Sequence, residues 1–181
     1  MGRTLVANRL LAGSACGKRQ PGRPLNSVVS HPVAKVTHIF VAPVRGAPVK
    51  AVAAVEALAD QGLRGDRYTD AKLRRTPDYQ VTLIELENIE AFSQATGLAL
   101  TPEMPRRNIV TLGIRLNDLC GKRFSVGGAI FEGLELCEPC SLFAKRTHSE
   151  VLKFFEKKGG LRARILSGGE VRVGDFVGED G

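Results

Sequence analysis

From residue 36 onward the chain is a succession of short alternating apolar runs, nearly all cut off by glycine or proline. Such runs cannot be long helices, so the pattern fixes a mostly β fold. Residues 36–42 alternate and stop at Pro43, and a short strand is expected after Pro48. Residues 80–84, 108–112, 122–126, 129–136, 161–166 and 170–173 read the same way. Gly127-Gly128 and Ser167-Gly168-Gly169 mark turns, as does Gly62-Leu63-Arg64-Gly65-Asp66-Arg67, because glycine adopts positive φ without strain. Two helices are expected. One spans 85–96, with Leu86, Ile89 and Phe92 at helical spacing and Gly97 as its stop. The other spans 148–157 and ends at Gly159-Gly160. Many short strands with few helices predict a closed or nearly closed β-barrel.

Length and charge divide the chain in two. With 181 residues it is long enough for one domain with a real core. The net charge of +7 suggests nucleic acid, but its distribution does not. Of 26 basic residues, six (Arg3, Arg9, Lys18, Arg19, Arg23 and Lys35) fall within residues 1–35, which hold no acid; the remaining 20 face all 19 acidic residues. Residues 1–35 therefore read as a basic leader, disordered or preceding a misassigned start, and residues 36–178 as the domain. Neither nucleic acid nor membrane is expected as a partner, since no apolar run approaches the roughly 18 residues that span a bilayer. Four cysteines are too few for a disulfide scaffold, so a reducing, cytoplasmic setting is expected.

Chemistry concentrates at Cys137-Glu138-Pro139-Cys140, where an alternating run ends. Zinc would need two further ligands, and only Cys120, His148 and His38 are on offer, at poor spacing. A thioredoxin-type dithiol would lie near the first strand of its fold, not in the last third of the chain. Two buried cysteines acting as small apolar residues remain an alternative, and so does a single thiolate ligating a soft metal. Gly65-Asp66-Arg67 and Arg106-Arg107-Asn108 suit a bound polyanion, because arginine pairs bidentately with phosphate and glycine lets backbone approach. Each of these is also readable as a surface charge cluster. Thiol and guanidinium groups together point to a phosphate-bearing metal cofactor.

Taken together these stretches resemble the MOSC domain, the family related to the C-terminal domain of molybdenum cofactor sulfurase. The resemblance rests on residues 62–68, 80–85, 106–111, 121–127, 137–140 and 159–163, leading to 171–175. It implies a barrel-like fold that binds molybdenum cofactor, the second cysteine, Cys140, being the metal ligand and the catalytic centre. By the same resemblance Arg67 and Arg106 would grip the pterin phosphate, and Asn108, Cys137 and Ser141 would complete the cofactor site. Tyr68 departs from the histidine that many small bacterial relatives carry. Pyridoxal phosphate is not expected, since no cysteine-desulfurase domain is present. The implied activity is reduction of small N-hydroxylated compounds, with electrons from a separate reductase partner. The alternative is a non-catalytic carrier of cofactor or sulfur on a Cys140 persulfide. Nothing in the sequence sets the oligomeric state.

Overall fold

The computed structural model describes residues 33–74, 76 and 78–179. The expected leader falls almost wholly outside the described residues. Eleven strands are described: β1 Lys35–Val41, β2 Lys50–Val52, β3 Ala54–Leu58, β4 Gly62–Leu63, β5 Val81–Glu85, β6 Ile109–Leu112, β7 Arg123–Val126, β8 Ala129–Leu136, β9 Leu161–Ser167, β10 Gly169–Arg172 and β11 Val177–Glu179. With them go three helices, α1 Leu86–Thr96, α2 Ser141–Arg146 and α3 Val151–Phe154. The mostly β class is what the alternating runs demand.

Eight strands form one sheet in the order β11-β7-β8-β9-β5-β6-β1-β2, and β10-β3-β4 form a second. All pairs are antiparallel except β5–β6, whose crossover carries α1. A parallel pair needs such a connection because its strands run the same way. Alternation sorts the side chains. On β9, Leu161, Ala163 and Ile165 enter the larger core, while Arg162 and Arg164 take the other face. Phe124 and Phe131 face each other across β7–β8 and stack with ring centres 5.7 Å apart. Such a pair contributes about 0.5–1.5 kcal/mol beyond its burial. The larger core also takes Val55, Ala57 and Val171 from the small sheet. Beneath the helices a second core gathers Phe40, Ile84, Phe92, Phe143 and Phe155.

The expected closed barrel is not completed. β11 and β2 are free edges of the large sheet, and no ladder joins them. The sheet does curl. Val36 N donates to Asp175 O (2.9 Å) and Val177 N donates to Ala34 O (3.0 Å), with an isolated bridge between Lys35 and Phe176. These bonds tie the start of β1 to the approach to β11, while β2 lies beyond β1.

Two other expectations need correction. Of residues 148–157 only Val151–Phe154 form an α-helix, α3, and a helix that was not expected, α2, precedes it. Helix α2 begins directly after Cys140 and ends at Thr147, whose hydroxyl donates back to Phe143 O (2.8 Å). Residues 62–63, read as part of a turn, form β4 and extend the small sheet. The first expected helix does occur, one residue shorter, with Gly97 left-handed at φ +71°.

Candidate functional site

Asp66 organises one wall of a cleft. It is 2% exposed and held by three donors: Ala42 N (2.8 Å), Asn108 Nδ2 (3.1 Å) and Tyr68 N (3.0 Å). Gly65, at φ +83°, makes the turn that brings it there. Arg67 and Tyr68 are thereby directed into the cleft, with the Arg67 guanidinium 4.3 Å above the Tyr68 ring. Asp66 Oδ2 lies 3.8 Å from Arg67 Nη1, close enough to orient it without neutralising it fully.

Asn108 belongs to the same framework. Its Oδ1 accepts from Thr82 N (3.1 Å) and Thr82 Oγ1 (2.9 Å), and its Nδ2 donates to Phe40 O (3.2 Å) as well as to Asp66. All its hydrogen-bonding capacity is engaged inside the protein, so it positions the cleft and has no polar group left for a ligand.

The adjacent arginines divide the work. Arg107 Nε donates to Gly159 O (2.9 Å), fastening the chain beside the cysteine loop. Arg107 lines only the smaller compartment of the cleft, whereas Arg106 lines both, held at φ +59°, a conformation uncommon for a residue with a Cβ. Burial, and then the like charges of Arg146 and Arg67, hold its pKa below the usual arginine range. It remains a cation. Among the described residues neither Arg106 nor Arg146 has a carboxylate partner.

The two cysteines also separate. Cys137 is fully buried and its N donates to Gly160 O (2.7 Å). Cys140 is exposed, carries a free thiol, and opens into the cleft at the start of α2. Glu138 Oε2 accepts from Lys157 N (3.1 Å), which steadies the loop between them. Gly159 and Gly160 are more than a turn. A Cβ on Gly159 would sit 1.9 Å from Cys137 O, and one on Gly160 1.9 Å from Leu83 O. Only glycines let the loop press this closely against the cysteines and β5. Ser141 is exposed but is not among the residues lining the cleft.

Two compartments share a wall of Arg67, Tyr68, Arg106, Leu142, Arg146 and Arg162. The smaller, about 200 Å³, holds Cys140 and Thr82. The larger, about 760 Å³, continues past Arg45, Lys72 and Tyr79. Thr82 and Arg162 are cross-strand neighbours on β5 and β9 and share the face turned away from the larger core. Arg162 pairs with Glu135 at 3.2 Å and lies over the Tyr79 ring. Arg146 and Leu142 had no motif to announce them, and Arg162, inside the 159–163 stretch, was given no site role there. The alternation of β9 was the one signal that Arg162 would leave the core.

Comparison with known proteins decides the relationship. A family model described as the MOSC domain matches residues 70–178, more than half of the chain. The chain belongs to the MOSC domain family. Among solved structures it is similar to YuaD from Bacillus subtilis, with a TM-score of 0.69 and 16% identity over 80% of this chain and 94% of that one. It is also similar to YiiM from Geobacillus stearothermophilus, with a TM-score of 0.62 and 16% identity over 82% and 75% of the two chains. YiiM from Escherichia coli gives a TM-score of 0.60 and 17% identity over 81% and 70%. At these identities the likeness concerns the fold. No curated protein matches the chain. MOSC domains are associated with molybdenum cofactor binding.

The residues present fit such a cofactor. Among the described residues no cluster of three or more His, Cys, Asp or Glu could hold a bare metal ion. A metal at Cys140 would therefore arrive with most of its donors, as a pterin-borne metal does. The unpaired Arg106 and Arg146 beside the thiol suit the phosphate that accompanies it. Among the described residues no helix is long and apolar enough to cross a membrane.

Proposed function

We propose that this MOSC protein binds molybdenum cofactor through Cys140 and reduces small N-hydroxylated compounds. One observation carries the reading: a free, exposed thiol opens into the same small compartment as Arg106 and Arg146, cations without carboxylate partners among the described residues. Cys140 supplies the thiolate to the metal, the ionised form being the one that ligates. Arg67, Arg106 and Arg146 hold the phosphate by charge-assisted hydrogen bonds, each worth roughly 1.5–3 kcal/mol. When bound, the cofactor supplies two-electron removal of oxygen from the substrate.

The chain's own part is placement. Asp66 and Asn108 fix the arginine-bearing loops, and Gly159-Gly160 fixes the cysteine loop. Leu142 and Met104, both exposed at the rim, give the flat body of a base apolar contact. Tyr68 lines both compartments, and its hydroxyl, which has no hydrogen-bond partner among the described residues, is available to donate to a bound ligand. Electrons come from a separate reductase.

The test is turnover of an N-hydroxylated base by metal-loaded protein with a chemical electron donor. Wild type should turn over, Cys140→Ala should fall to background, and Cys137→Ala should keep measurable activity. Turnover by metal-loaded Cys140→Ala would refute the assignment. Metal retention without turnover in wild type would favour the carrier reading instead.

A further inference from the structure

We propose that the larger compartment contains a second phosphate-binding subsite, formed by Arg45 and Lys72, so that the cleft receives two separate phosphoryl groups. The inference rests on the reading above, which gives Arg67, Arg106 and Arg146 to the cofactor phosphate, and extends it to the space that reading leaves empty.

Of the twelve residues lining the larger compartment, seven are Arg or Lys and none is Asp or Glu. Some are engaged: Arg74 donates to Asp60 O (3.0 Å), Arg162 pairs with Glu135, and Arg67 lies near Asp66. Arg45 and Lys72 have no carboxylate partner among the described residues. Both are exposed, and both line this compartment but not the one holding Cys140. A phosphate monoester carries at most two charges, which Arg106 and Arg146 already match. The cations further out repel one another and the inner cluster until a second anion arrives.

Their placement is built rather than incidental. Ala42 N donates to Asp66 Oδ2 (2.8 Å), and Arg67 N donates to Ala42 O (2.9 Å). The buried carboxylate thus clips the loop carrying Arg45 to the loop carrying Arg67. Asp70 Oδ1 then accepts from Lys72 N (2.9 Å), setting the single turn that carries Lys72. Two loops from different parts of the chain are fastened so that a cation from each lines one hollow. At about 760 Å³ this hollow has room for far more than one phosphate.

The second phosphoryl group has two possible sources. It belongs either to an extension of the cofactor, joined through a diphosphate, or to a phosphorylated substrate. The shared chemistry is tested first. Full-length protein from a host that makes no pterin cofactor is titrated with inorganic phosphate at low ionic strength by calorimetry. Wild type should bind two equivalents. Arg45→Gln/Lys72→Gln should bind one equivalent with an unchanged melting temperature, since both side chains are exposed. Raising the salt should weaken the outer equivalent more than the inner, because exposed charges are screened more strongly. A single equivalent in wild type, or two in the double variant, would overturn the proposal.

Cofactor-loaded protein then separates the sources. Uptake of one more phosphate assigns the outer group to a substrate. No uptake, with two phosphates per molybdenum released on acid denaturation, assigns it to the cofactor. The first titration involves no metal. Failure to retain molybdenum would sink the cofactor reading and leave this result standing, and a single phosphate equivalent would do the reverse.

Discussion

Arg106 shows how far one residue can be read before its backbone is known. Its side chain reaches the cleft because the chain adopts φ +59° there, while Arg107 turns inward to Gly159 O. A left-handed backbone costs a residue with a Cβ about 1–2 kcal/mol. Arg106→Gly should therefore melt at or above the wild-type temperature while losing affinity for phosphate. Arg106→Ala should lose the same affinity without that gain. Thermal melts and phosphate titrations of the two variants check this; a clearly lower melting temperature for Arg106→Gly would show that the guanidinium holds the fold. Thiol and guanidinium chemistry singled out Cys140, Arg67 and Arg106 in the sequence, and the structure places all three on one cleft. Asn108 was expected to contact the cofactor, whereas its side chain is engaged within the framework behind the cleft. Its side chain meets Phe40, Asp66 and Thr82, whose convergence no local pattern reveals. The division between Arg106 and Arg107 was hidden for a related reason, since it depends on a single dihedral.

At the scale of elements, the strands were the most readable part. Period-two alternation is local, and β1, β5, β6, β7, β8 and β9 fall on the expected runs within a residue or two. In the second sheet β10 also fell on its expected run, but β3 and β4 were not read: β4 has only two residues, and β3 finds its other partner, β10, more than a hundred residues away. Helix α2 was also missed, and α3 covers only Val151–Phe154 of the expected run 148–157. Phe143, Val151 and Phe155 keep helical spacing across the break between the two, while Thr147 and His148 turn to other partners. Gly159-Gly160 looked like turn chemistry and proved to be a close backbone approach. Gly160→Ala should cost about 3 kcal/mol or more, combining steric overlap with Leu83 O and a φ of +102°. Urea denaturation would measure it. A loss under about 1 kcal/mol would mean that the loop relaxes freely and does not lock the cysteines.

For the whole molecule, the sequence described a nearly neutral body, and that sum conceals the cleft. Its cations come from the loop after β1, the segment 67–74, the end of the β5–β6 crossover, α2 and β9. Only the fold brings these distant pieces together, so no charge run marks the site. Curling of the large sheet carries the two ends of the domain to each other, through Ala34, Val36, Asp175 and Val177, without closing a ladder. The central claim is that this basic cleft holds molybdenum cofactor by the Cys140 thiolate. It is tested most directly by molybdenum content per chain, for protein made in hosts with and without cofactor synthesis. Wild type from the competent host should carry close to one molybdenum per chain and none from the deficient host, with Cys140→Ala near zero in both and Cys137→Ala intermediate. Equal molybdenum in wild type and Cys140→Ala, or none in wild type from the competent host, would contradict the account.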